Sequence, residues 1–155
     1  MRRVARAAAL RAVLTSLLLG LYLYGWSPYG RTAFTRHVAA PALSAAASPD
    51  WTVTVRDGGQ RLTLSSASRS IGATAPAGVR FLLPALGLVL LAPKKLYWLG
   101  LWGGHVVLGL LGLGFLVMGL WGLSLGFALH DATTTYLVDA LSLGVAVLAV
   151  HSELD

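Results

Sequence analysis

Apolar residues fall into four blocks along the chain, set apart by polar or small-residue stretches. The longest runs from Leu96 to Leu129, 34 residues without Asp, Glu, Lys or Arg and with His105 as its only histidine. At 1.5 Å per residue a helix needs roughly 20 apolar residues to cross a bilayer, so this block spans with tilt or an overhanging end. Nine glycines punctuate it. In water each would weaken a helix by about 1 kcal/mol; in lipid they let neighbouring helices approach closely.

The first block, residues 12–26, follows a basic start (1–11) carrying Arg2, Arg3, Arg6 and Arg11. Because Trp26-Ser-Pro-Tyr-Gly-Arg31 replaces a small-residue cleavage pattern, the segment reads as an uncleaved signal anchor. Tyr22, Tyr24, Trp26 and Tyr29 suit an aromatic belt at its exit. A second block at 79–93 carries Pro84 and ends at Pro93-Lys94-Lys95. It pairs with the long block (96–129) as an antiparallel helical hairpin bent at the lysines. A fourth block covers 134–150, and 151–155 forms a short tail.

Residues 27–78 between the first two blocks are mixed and polar, which predicts a loop outside the membrane. Within it, Trp51-Thr-Val-Thr-Val55 and Arg61-Leu-Thr-Leu-Ser65 alternate with period two on either side of Asp57-Gly58-Gly59. That pattern predicts a β-hairpin over 51–65, with Trp51, Val53 and Val55 on one face opposite Leu62 and Leu64. A lone hairpin is marginal in water, so its apolar face needs support. Its small, polar flanks read as linkers.

Composition agrees with a protein built for lipid: 56% of residues are hydrophobic and 12% charged, against roughly a quarter charged in soluble domains. The net charge of +6 bears first on topology. Arg2, Arg3, Arg6, Arg11, Lys94 and Lys95 share one side of a four-span arrangement, which puts both termini in the cytoplasm and the hairpin outside. The basic residues are too dispersed for a nucleic-acid surface. Cysteine is absent, which removes disulfides, thiolate nucleophiles and Cys-based metal sites.

Ionisable residues inside spans are functional hypotheses by default. Arg80, His105 and Asp139 qualify. Arg80 and Asp139 match in depth and read as an ion pair lining a polar site, as a structural pair, or with Arg80 simply snorkelling to the headgroups. His105 reads either as a proton relay or ligand, or as a neutral imidazole bonded to another helix, and the structural option leads for lack of a second ligand nearby. His130 and Asp131 fall in a short connection, where turn chemistry or capping is expected. Gly100, Gly104, Gly122 and Gly126 form small-x-x-x-small pairs suited to helix packing. No nucleophile-and-base motif, phosphate loop or metal motif occurs, so neither a catalytic residue nor a cofactor is expected.

Tyr24 to Gly30, Arg80 to Gly87, the Lys94-Lys95-x-Tyr97 bend and the following His105, with the hairpin loop between, resemble the small membrane proteins that accompany bacterial exosortases. The resemblance implies an accessory to a multi-spanning protease-transpeptidase rather than the enzyme, whose chemistry needs a cysteine. The expected fold is all-α, with four transmembrane helices and a small extracytoplasmic β-hairpin between the first two. The expected function is that of a non-enzymatic inner-membrane accessory protein, with the bilayer and a larger integral membrane protein as its partners and a homo-oligomer as a further option. A small oligomeric transporter or channel component using Arg80, His105 and Asp139 is the alternative.

Overall fold

The computed structural model describes residues 2–74, 81–91 and 94–154. Its first element, α1, is one helix over residues 2–46. The expected end at Trp26 is not observed: residues 27–46, assigned to a loop from sequence, continue the helix. Proline inside an α-helix lacks an N–H and crowds the carbonyl four residues back. Here Pro28 sits within the wide π-helical stretch Leu21–Gly30, where Arg31 N–H donates to the Trp26 carbonyl five residues back, and the looser turn relieves that crowding. A second π turn covers Thr35–Ala39. Buried Thr35 gives its hydroxyl proton to the Arg31 carbonyl at 2.9 Å, which satisfies that hydroxyl inside the helix.

A three-stranded antiparallel sheet follows, ordered β1 (Thr52–Arg56), β2 (Arg61–Ser65) and β3 (Ser70–Thr74). The expected hairpin is present, with Val53 opposite Leu64 and Val55 opposite Leu62. Its turn uses positive φ at Asp57, Gly58 and Gly59 (52°, 66° and 102°). β3 lies in a stretch read from sequence as a linker. It pairs along the free edge of β2, with Leu64 opposite Ile71 and Leu62 opposite Ala73. The apolar face finds the support a hairpin lacks alone. Leu62 and Leu64 are fully buried among Ala39, Ala40 and Leu43 of α1 and Leu116, Leu120 and Phe127 further along. Burial of a leucine is worth about 1.5–3 kcal/mol.

α2 (Leu82–Leu91) has 10 residues, roughly 15 Å of helix and about half the hydrocarbon thickness. The expected second span at 79–93 therefore appears only as this short helix; residues 79–80 and 92–93 lie outside the described residues. α3 (Lys95–Leu120) has 26 residues. The block read as one segment, 96–129, in fact turns at its end. Gly122 has φ +89°, its N–H donates to the Gly119 carbonyl at 3.1 Å, and the Leu123 N–H donates to Met118 at 3.2 Å. These are the two bonds of a Schellman cap, in which only glycine adopts the left-handed position without strain.

The last helix, α4, occupies residues 125–154 and includes a π turn at Thr133–Leu137. It absorbs the expected connection at 130–133 and the expected fourth span at 134–150. Threonine back-bonding eases the widened turn: Thr134 Oγ1 donates to the His130 carbonyl at 2.9 Å.

Among the described residues, three helices are long and apolar enough to cross a membrane: Arg6–Ala46, Lys95–Leu120 and Leu125–Ser152. Two clusters show how they stand. One joins the sheet, the end of α1 and the α3–α4 turn. The other joins Leu18 of α1, Phe81, Ala85 and Leu88 at α2, Leu101 of α3, and Val145 and Ala149 of α4. The basic start of α1, the lysine bend and the end of α4 thus occupy one end of the molecule, and the sheet the other.

Candidate functional site

Where α1 and α3 face each other between these clusters, they part around a cavity of about 520 Å³. Its wall is almost wholly hydrocarbon and aromatic, with Tyr22, Trp26, Trp102 and His105 as its polar-tipped members. The π stretch of α1 supplies one side, with Gly25, Gly30 and Gly109 in the wall, and the Trp26 ring lies directly over Gly30. The rim is lipid-facing: Leu21 is 70% exposed and Leu110 64%.

His105 stands at the α2 end of the cavity. Its Nδ1 lies 2.8 Å from the Leu101 carbonyl, one turn back, and its ring meets the Phe81 ring edge-on, with centroids 5.2 Å apart. Phe81 in turn packs on Trp102 at 4.4 Å. A carbonyl can only accept, so Nδ1 carries the proton and Nε2 of the neutral ring presents a lone pair. That Nε2 is buried and has no hydrogen-bond partner among the described residues. The expected interhelical bond from His105 is therefore not observed among them.

Of the other two ionisable candidates, Asp139 is the one among the described residues. Arg80 lies outside the described residues. Asp139 is on α4, two residues before Leu141, whose side chain fills the space over Gly104. Its turn thus runs alongside that of His105, but no hydrogen bond joins the two.

The packing glycines divide by role. A Cβ on Gly104 would meet Leu141, and one on Gly126 would meet the α3 backbone at Phe115, Met118 and Gly119. Within the chain, Gly100 has open space around it and Gly122 serves the turn. At the hairpin, Gly59 lies against Thr32 of α1, while a Cβ on Gly58 would meet nothing within 4 Å. Asp57 makes an exposed 3.7 Å contact with Arg61, worth little in water. Trp51 packs on Phe127 at 5.5 Å, and Arg69 lies over the same ring at 5.6 Å.

His130 was assigned to a solvated connection and is instead buried in α4, its Nδ1 donating to the Gly112 carbonyl of α3 at 2.9 Å. It carries the α3–α4 bond that was sought at His105. The available signal was spacing: Gly126, Phe127 and His130 recur at i, i+1 and i+4, one helical face.

No known protein family, curated protein or solved structure matches the chain.

Proposed function

We propose that this chain is a non-enzymatic accessory protein of a bacterial-type inner membrane that packs on a larger integral membrane partner, with both termini cytoplasmic and the sheet outside. One observation carries the reading. α1 is apolar enough to cross the membrane, yet its most apolar 18-residue stretch has no buried residue, whereas the other two spans each bury 28% of theirs. Leu17, Leu21 and Tyr24 are 63%, 70% and 79% exposed. The helix is held by α2 near Leu18 and by the sheet beyond Phe34, and is parted from α3 between them. Such a helix presents a long outward face while contacts at Leu18 and beyond Phe34 hold it in place.

Two further features support the reading. The basic start and the lysine pair share one end, as the positive-inside rule expects of a cytoplasmic face. The polar sheet at the other end offers a second contact surface for a partner or its substrate. The resemblance to exosortase-associated proteins nominates a polytopic protease of that class as the partner. Transport would need a polar path, and the wall around His105 is apolar. Affinity purification in mild detergent tests the proposal. The account expects a polytopic protein in fixed stoichiometry with the chain; a monodisperse chain that retains none overturns it.

A further inference from the structure

We infer that the cavity between α1 and α3 is a binding site for a neutral long-chain lipid alcohol, whose hydroxyl donates to Nε2 of His105. The chemistry of His105 selects the group. With Nδ1 committed to the Leu101 carbonyl, the buried Nε2 is an acceptor without a donor among the described residues. A stranded acceptor in an apolar setting is costly, and a ligand O–H removes that cost.

Depth selects the ligand class. His105 lies ten residues along α3 from Lys95, roughly 15 Å and near the middle of a hydrocarbon layer of about 30 Å. A phosphate headgroup belongs at the interface, and placing its charge at that depth is prohibitive. A hydroxyl on an otherwise apolar chain is not.

Shape selects an extended chain. On α3 the cavity runs from Trp102 to Leu113, roughly 17 Å at 1.5 Å per residue. Its volume of about 520 Å³ is drawn out over that length as an elongated, side-open groove with an almost wholly hydrocarbon and aromatic lining, which suits a hydrocarbon chain lying along it. The exposed rim at Leu21 and Leu110 gives a chain in the bilayer sideways access.

A photoreactive hexadecanol carrying a mid-chain diazirine tests this in phosphatidylcholine nanodiscs, with its methyl ether as the control that cannot donate. The full-length protein should be labelled by the alcohol at Trp26, Leu110 and Leu113, which line the cavity about half a chain length from His105, roughly tenfold more than by the ether. His105→Leu should bring the two probes to equal labelling. Val106→Trp, which narrows the groove from a lipid-facing position, should suppress both and serves where His105→Leu does not fold. Equal labelling of the wild type by the two probes, an alcohol preference that survives His105→Leu, or adducts spread over outward residues such as Leu143 and Val147 overturns the assignment.

Discussion

A Cβ placed on Gly126 would lie 2.5 Å from the amide nitrogen of Gly119, so α4 and α3 touch backbone to backbone where these two residues meet. Backbone cannot swing aside as a side chain can. Gly126→Ala therefore forces the helices apart and should destabilise the protein by about 1–3 kcal/mol, the usual cost of overpacking. Gly100→Ala, with nothing within 4 Å, should leave the melting temperature in detergent unchanged or slightly raised. Thermal unfolding of the two variants side by side checks the contrast.

His130 fastens the same pair of helices one turn further on. His130→Phe keeps the bulk but deletes the bond to Gly112. A loss of about 0.5–1.5 kcal/mol is expected, as for a neutral hydrogen bond. His130→Asn, which keeps a donor, should recover part of it. Melting of both variants in one detergent reads the difference.

The far end of α1 is fixed to the α3 terminus by Trp121 Nε1–H, which donates to the Ala46 carbonyl at 2.7 Å, and by the Ser48 hydroxyl, which donates to Leu120 at 2.9 Å. The double variant Trp121→Phe with Ser48→Ala should speed amide exchange over residues 40–46, while exchange near Leu88 stays as it was. Equal acceleration at both places would mean that the two clusters do not respond separately.

Gly59 has φ +102°, and a Cβ there would lie 2.5 Å from Thr32 on α1. Gly59→Val should detach the sheet from the helix at a cost of about 2 kcal/mol or more, since strain and overpacking add. Gly58→Asn, at φ +66° with open space around it, should be tolerated, because asparagine visits that region readily. Limited proteolysis within 52–74 distinguishes the two.

The sequence was most readable where local pattern and tertiary need agree. Val53, Val55, Leu62 and Leu64 alternate, Asp57-Gly58-Gly59 accepts left-handed backbone, and the register follows. β3 was hidden because Ser70–Thr74 has little apolar weight of its own, and its pairing comes from the edge that β2 leaves free. The turn at Gly122 was masked by apolar neighbours, Trp121 and Leu123, which keep hydropathy high through a complete helix reversal. At Pro28 the error ran the other way. Trp-Ser-Pro-Tyr-Gly looks like a helix end, yet a π-helical stretch carries the chain through. His105 stands out in the sequence by its isolation in an apolar block. The cavity beside it depends on how α1 and α3 diverge, and spacing along one strand of sequence does not encode that.

The arrangement of ends is open to direct labelling. Gly58→Cys and Lys94→Cys, one in the sheet turn and one at the start of α3, should react with a membrane-impermeant maleimide from opposite sides, Gly58→Cys from outside only. Labelling of both from one side would contradict the placement of the two clusters across the membrane.

The outward face of α1 bears most directly on the accessory role. With a photo-crosslinking residue at Leu17, which is 63% exposed, irradiation of intact membranes should yield one discrete adduct with a polytopic protein, and the same residue placed at buried Leu116 should yield none. Lipid adducts alone at Leu17, in membranes that contain every native protein, would contradict the account.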